Sequence, residues 1–143
     1  MRPAPVVAAL LLSGCVYDGE YRIRGTVRGA LGETVAPLQG ARVEVVPLRP
    51  MNGAAVSAQT DADGFLQLIY RFGGMGPLPF VRPDGLPVAT ISADGYQACR
   101  VPIRSEDVPA GVSQRPCVPE DRFCFELEVL LAPVGSTRAD ACR

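Results

Sequence analysis

Residues 123–131 read Phe-Cys-Phe-Glu-Leu-Glu-Val-Leu-Leu and contain the clearest secondary-structure signal in the chain. Every second position is apolar: Phe123, Phe125, Leu127, Val129 and Leu131. The positions between them are Cys124, Glu126, Glu128 and Leu130. Successive side chains of a β-strand point to opposite faces of its sheet, so this period of two predicts a strand with one buried face.

The same alternation recurs upstream. In residues 21–28 the two predicted faces contain Tyr21, Ile23, Gly25 and Val27 on one side and Arg22, Arg24, Thr26 and Arg28 on the other. Shorter segments with this period lie at 43–45, 55–60, 66–70, 89–93 and 101–103. No window has the 3.6-residue period of an amphipathic helix. Seven short strands separated by turn-forming residues predict an all-β sandwich of one domain.

The charges of the chain are nearly balanced, with a formal net charge of −1 and no basic or acidic block. A nucleic-acid-binding domain needs a basic patch or stripe, so we expect no nucleic-acid partner. Arg22, Arg24 and Arg28 nevertheless fall on one face of the first predicted strand. We interpret this row as a solvated face; the alternative is a patch that binds an anionic ligand or lipid headgroups.

The N-terminal residues have the pattern of an export signal. Met1-Arg2 supplies a positive charge, and residues 3–12 are a short apolar run that ends in three leucines. About ten apolar residues suit a signal peptide but fall short of the roughly 20 that span a bilayer as a helix. The sequence therefore predicts an exported chain.

The stretch Leu12-Ser13-Gly14-Cys15 resembles the lipobox of bacterial lipoproteins. This resemblance implies that a signal peptidase recognises Leu12, Ser13 and Gly14 and removes residues 1–14 as a lipoprotein signal peptide. It further implies that the thiol of Cys15 is acylated, as in palmitate-bearing lipoproteins. A plain secretory signal followed by a chance cysteine is the alternative.

The lipobox resemblance also implies where the mature chain resides. Two or three acyl chains would hold it on a bilayer, because a single chain binds only marginally. Val16 follows Cys15, whereas enterobacterial lipoproteins that stay in the inner membrane have Asp at that position. We expect a cell-envelope protein in the outer membrane rather than the inner one, with residues 15–20 as a lipidated tether and the bilayer as its partner.

Four further stretches, taken in order, resemble the carboxypeptidase regulatory-like domain. They are Gly-Thr-Val at 25–27, Pro-Leu-Gln-Gly-Ala-Arg-Val-Glu-Val at 37–45, Thr-Asp-Ala-Asp-Gly-Phe-Leu-Gln-Leu at 60–68 and Ile-Ser-Ala-Asp-Gly-Tyr at 91–96. That family has a seven-stranded, transthyretin-like (prealbumin-like) Greek-key β-sandwich and is mostly structural or accessory. The resemblance implies a domain over residues 21–132 and a C-terminal tail over 133–143. The chain differs from the family by two insertions, at residues 71–87 and 105–122.

The composition excludes most catalytic chemistry, because the chain contains neither His nor Lys. Ser-His-Asp and Cys-His sites and imidazole-based zinc sites are therefore absent, as is the Gly-Lys-Ser/Thr of a phosphate-binding loop at residues 73–76. Residues 61–64 (Asp-Ala-Asp-Gly) predict a hairpin turn rather than a calcium loop. A carboxylate-only hydrolase using Glu126 and Glu128 is the enzymatic alternative. We expect no catalytic residue, no metal and no cofactor.

Four cysteines follow Cys15: Cys99, Cys117, Cys124 and Cys142. An even number in an exported chain favours two disulfides, and the spacing lacks the Cys-x-x-Cys pairs of the rival four-cysteine zinc site. Three pairings are open. The preferred one joins Cys117 to Cys124 across a Pro-containing turn and Cys99 to Cys142, which would fix the C-terminal tail.

Residues 70–87 predict a long loop, and long loops are often functional. Aromatic residues, Met and Arg are enriched at interfaces, so this loop is a candidate partner-contact surface. Its candidate contact residues are Tyr70, Arg71, Phe72, Met75, Phe80 and Arg82. The alternative is a loop that folds back over one end of the sandwich.

Together these features predict a membrane-anchored, non-enzymatic envelope lipoprotein whose sandwich binds an envelope protein or glycan, or serves as a structural module. An accessory subunit of an envelope secretion or transport complex is the second hypothesis.

Overall fold

The computed structural model describes residues 15–46, 55–76, 87–103, 107–117 and 124–143. Within these ranges the chain forms nine β-strands and no helix. The strands are β1 (Cys15–Leu31), β2 (Thr34–Pro37), β3 (Arg42–Val46), β4 (Val56–Gln59), β5 (Phe65–Gly76), β6 (Val88–Ser92), β7 (Cys99–Pro102), β8 (Val112–Pro116) and β9 (Cys124–Leu131).

The strands form two sheets. The first sheet has the order β2-β1-β9-β8, and β5 also pairs with β1. The second sheet has the order β4-β3-β6-β7. Strands β1 and β9 are parallel, and every other pairing between the nine strands is antiparallel. The predicted all-β, two-sheet architecture is confirmed.

A hydrophobic core lies between the sheets, built from the inward positions of the alternating segments. The first sheet contributes Tyr21, Ile23, Val27, Leu66, Leu68, Tyr70, Phe125, Leu127, Val129 and Leu131. The second sheet contributes Val43, Val45, Ala89, Ile91, Cys99 and Val101. Burial of this apolar surface is the main force that holds the two sheets together.

Two of the nine strands, β2 and β8, are additional to the seven predicted from the sequence. Strand β2 lies between the predicted strands at 21–28 and 43–45, and β8 lies in the predicted insertion at 105–122. Both strands are mostly exposed, so neither has the buried alternate positions that identify a strand in sequence. Backbone pairing with β1 and β9 forms them instead.

The first sheet also begins earlier than expected. Residues 15–20, which we interpreted as a tether, are the first six residues of β1 and pair with residues 71–76 of β5. The residues expected as a C-terminal tail are also partly integrated, because Ala141 and Cys142 are buried. The amide of Cys142 donates to the carbonyl of Leu130 at 2.7 Å, which holds this segment against β9.

Two disulfides are present, with the preferred pairing. Cys99 of β7 is joined to Cys142, and Cys117 is joined to Cys124 at the start of β9. The first bond connects the second sheet to the segment that lies beside β9, so it links the two sheets covalently. The second closes the connection between β8 and β9.

The two disulfides should contribute unequally to stability. In the chain-entropy description, a crosslink stabilises more when it closes a longer loop, and the sequence separations are 43 and 7. We expect the Cys99→Ala/Cys142→Ala variant to lose about 4 kcal/mol of unfolding free energy and the Cys117→Ala/Cys124→Ala variant about 2.5 kcal/mol. Urea unfolding of both variants beside the parent measures this. Equal losses of unfolding free energy in the two variants, or a larger loss in Cys117→Ala/Cys124→Ala, would contradict the prediction that the Cys99–Cys142 disulfide stabilises more.

Gly25 is the position where the β1–β9 pairing tolerates no side chain. A Cβ atom at Gly25 would lie 2.1 Å from the backbone carbonyl oxygen of Leu127. We expect Gly25→Ala to cost about 3 kcal/mol, because the two strands must separate locally. Thr26→Ala, one residue along on the outer face, is the matched control and should cost less than about 1 kcal/mol. Thermal or urea unfolding that gives equal costs for both variants would refute this account.

Candidate functional site

Cys15, the predicted acylation site, is the first residue of β1. It pairs in register with Gly76, the last residue of β5. Strand β9 joins β1 only from Arg22 onward, so residues 15–20 and 71–76 form a two-stranded ribbon at this end of the first sheet. Six residues span about 20 Å at about 3.3 Å each. Leu12, Ser13 and Gly14, the predicted recognition residues, lie outside the described residues.

The arginine row lies on the outer face of the first sheet, as predicted. Arg22, Arg24 and Arg28 are exposed, whereas the alternate residues Tyr21, Ile23 and Val27 are buried. Glu20 lies on the same outer face, with one carboxylate oxygen 3.8 Å from Nε of Arg22 and the other 4.0 Å from Nε of Arg71. Arg24 and Arg28 have no ion-pair partner among the residues that the structure describes.

Glu126 and Glu128, the residues of the hydrolase alternative, lie on the outer face of β9. Nε of Arg115 donates to Oε2 of Glu126 at 3.1 Å, and Nη2 of Arg115 lies 4.0 Å from Oε1 of Glu128. The hydrogen bond to Glu126 and its charge raise the pKa of Arg115. This arrangement is that of a surface ion-pair network, in which one arginine contacts both carboxylates.

The candidate partner-contact loop is only partly a loop. Its first seven residues, 70–76, belong to β5, where Phe72 and Met75 are paired in the backbone register with Gly19 and Val16 of β1. Arg71 is exposed, but Tyr70 is 2% exposed, so the assignment of Tyr70 to a contact surface is wrong. Phe80 and Arg82 lie outside the described residues, and that part of the prediction stays untested.

Tyr70 is buried because it continues the inward alternation of β5 beyond Leu68. Its ring stacks on Tyr21, with centroids 6.4 Å apart, and Tyr21 in turn meets Phe125 at 5.9 Å. Burial raises the pKa of Tyr70, and the neighbouring Tyr21 raises it further. The three rings close the core at the end of the sandwich from which the ribbon projects.

A groove of about 480 Å³ lies where the C-terminal segment meets the β1–β2 turn. It is lined by Ala30, Gly32, Glu33, Pro133, Ser136, Thr137 and Arg138. The guanidinium of Arg138 already binds both carboxylate oxygens of Asp140 and the carbonyl of Gly32, at 2.5, 2.9 and 2.9 Å. This contact lowers the pKa of Asp140. The groove is not predictable from the sequence, because only the folding of residues 133–143 against the end of β1 creates it.

The described residues contain no group of three His, Cys, Asp or Glu side chains that could hold a metal ion. They also contain no helix of the length and hydropathy that would cross a membrane. The Asp61 side chain has a structural role in the described turn, because its Oδ1 accepts hydrogen bonds from the amides of Asp63 and Phe65, each at 2.9 Å.

No protein-family model matches the chain, and no curated protein matches it. Among solved structures, the chain is similar to the crystal structure of the major plantain pollen allergen Pla l 1, at 13% sequence identity and a TM-score of 0.38. That similarity covers 87% of this chain and 98% of the allergen chain.

The raised pKa of Tyr70 predicts a loss of stability in alkali. Below its ordinary value of 10.0 the phenol is protonated in both states. At higher pH the unfolded state releases this proton before the folded state does, so the free energy of unfolding falls as pH rises. Urea unfolding between about pH 9 and 11 should show a shallower fall in Tyr70→Phe than in the parent. Tyr96→Phe, at a half-buried tyrosine, is the matched control; a slope unchanged by Tyr70→Phe would rule out this group as the cause.

Proposed function

We propose that the protein is a lipid-anchored, non-enzymatic module of the bacterial cell envelope, held in the outer membrane through acylated Cys15. The observation that carries the proposal is the stretch Leu12-Ser13-Gly14-Cys15 at the end of an apolar leader. In the described part of the chain Cys15 is the first residue of β1, so the proposed lipid would be attached at the end of a paired strand.

We further propose that the sandwich is a carboxypeptidase regulatory-like domain with the transthyretin-like Greek-key arrangement. Two strands that the resemblance does not predict, β2 and β8, lie between the predicted ones. The other seven strands follow the predicted order, and the two-sheet architecture is compatible with the family. A structural or accessory role, rather than catalysis, is the function that this resemblance implies.

The role of the sandwich in this proposal is to present a surface to an envelope protein or glycan. The proposal that the sandwich is not an enzyme is supported by the carboxylates on its outer face, because they form ion pairs with arginines. Glu126 and Glu128 share Arg115, and Glu20 lies between Arg22 and Arg71. Carboxylates in such exposed ion pairs are typical of a solvated sheet face.

Acylation at Cys15 is tested by metabolic labelling with a clickable palmitate analogue. We expect the parent protein to incorporate the label and Cys15→Ala to lose it, because only the thiol at this position accepts the diacylglycerol. Val16→Ala leaves the thiol in place and is the matched control, which should stay labelled. Intact mass should also show loss of residues 1–14 in the parent. An unlabelled parent, or a label that persists in Cys15→Ala, would reject the lipid anchor.

A further inference from the structure

The outer face of β1 and β5 combines arginines with exposed apolar side chains. Phe65 and Ile69 of β5 are 41% and 45% exposed. In register, Phe65 lies opposite Thr26 and Ile69 lies opposite Arg22, while Gln67 lies opposite Arg24. These positions and Arg28 form one surface, which we call the arginine face. It contains cations and large apolar groups side by side, as in proteins that lie in a membrane interface.

Glu126 and Glu128 of β9 lie next to the arginine face, with Glu126 in register with Arg24, and both are paired with Arg115. The charges of the arginine face itself are only partly neutralised within the described chain. Glu20 lies near Arg22 and Arg71, whereas Arg24 and Arg28 have no ion-pair partner among the described residues. On the outer face of the second sheet, by contrast, Arg42 donates to Glu44 at 2.9 Å. Ser57 and Gln59 on that face are uncharged, and Arg100 is exposed there without a large exposed apolar neighbour in register. The arginine face differs in placing Arg24 and Arg28 beside the exposed side chains of Phe65 and Ile69, so it is the face that better fits an anionic membrane surface.

The position of Cys15 limits how the arginine face sits relative to a membrane. Cys15 belongs to β1 and is paired with β5, so no unpaired spacer separates it from the sheet. Arg24 and Arg28 follow it along the strand by about 30 Å and 43 Å, at about 3.3 Å per residue. A strand that stood upright on the bilayer would hold both arginines beyond the Debye length of about 10 Å, whereas a strand that lay flat would bring both within it.

We propose that the arginine face lies against the anionic phospholipid headgroups of the bilayer that holds acylated Cys15. This inference rests on the proposed lipid anchor. Arg24 and Arg28 bind phosphate oxygens, for which the planar guanidinium is well suited. Phe65 and Ile69 enter the interface between headgroups and acyl chains. The outer face of the second sheet then points away from the membrane toward any partner.

The chain contains no tryptophan, so a single introduced tryptophan reports on one face. Phe65→Trp places the probe on the arginine face, and Val46→Trp places it at a 40% exposed position of the second sheet. The full acylated protein is reconstituted into phosphatidylcholine vesicles with or without phosphatidylglycerol. We expect blue-shifted emission, quenching by brominated lipid and protection from acrylamide for Phe65→Trp in anionic vesicles only. Val46→Trp should stay accessible to acrylamide in both kinds of vesicle.

Two double variants, one on each sheet, test whether the arginines attract the domain to anionic lipid. Each arginine near an anionic surface strengthens binding by about five-fold, so Arg24→Gln/Arg28→Gln should lower the docked-to-undocked ratio about 25-fold. Arg42→Gln/Arg100→Gln removes the same charge from the second sheet and should leave the ratio unchanged. Salt at 1 M, where the Debye length is about 3 Å, should mimic the first variant.

The outcomes separate this inference from the anchor on which it rests. Protein that fails to remain with the vesicles, or that is not acylated, overturns the anchor. Protein that is acylated and vesicle-bound but keeps an acrylamide-accessible tryptophan in Phe65→Trp, in both lipids, overturns docking and indicates an upright domain. Protection in Val46→Trp instead of Phe65→Trp would assign the membrane contact to the opposite face. Equal docking in neutral vesicles would reject the electrostatic basis.

Discussion

The pairing of β1 with three other strands is the constraint on which the rest of the structure depends. Along one edge β1 binds β5 through residues 15–26 and β2 through residues 28–31, and along the other it binds β9 in parallel. The close contact of Gly25 with the Leu127 carbonyl lets β9 approach. Because a register shift by one residue exchanges the two faces of a strand, this pairing also fixes which side chains enter the core and which form the arginine face.

The second constraint is the closure of the sandwich by its C-terminal residues. Cys142 exchanges backbone hydrogen bonds with residues 130 and 132 while its side chain is joined to Cys99 of β7. One residue therefore contacts both sheets, by hydrogen bonds on one side and by a covalent bond on the other. A small core gains much from such a crosslink, because a long loop of the unfolded chain loses conformational freedom. At the opposite end, near the Tyr21–Tyr70 stack, the Cys117–Cys124 disulfide joins β8 to β9 within the first sheet, and no described disulfide joins the two sheets there.

The sequence predicted the parts of this fold in which one face of a strand is buried. Alternation identified the inward positions of β1 and β9, and the Asp-Gly pair of residues 63 and 64 identified the turn before β5, where Gly64 has a φ of 73°. It did not predict β2 or β8, whose side chains are mostly exposed, nor the extension of β5 through Gly73 and Gly74. Glycine is depleted in strands, so only pairing with residues 15–20 creates that extension. The groove beside Arg138 depends in the same way on contacts between distant segments.

The extension changes what an anchor at Cys15 can do for function. A flexible tether would let the sandwich rotate freely and would separate the chemistry of its faces from the position of the lipid. A paired strand instead transmits the orientation of the sheet to its first residue, because bending it would require breaking the backbone hydrogen bonds between residues 15–20 and 71–76. With such an anchor, a modest attraction between one face and the headgroups selects a single orientation of the sheet. The Arg42–Glu44 ion pair then remains on the outer face of the second sheet, where it keeps that exposed sheet soluble, and the specificity of the module lies in which face it presents.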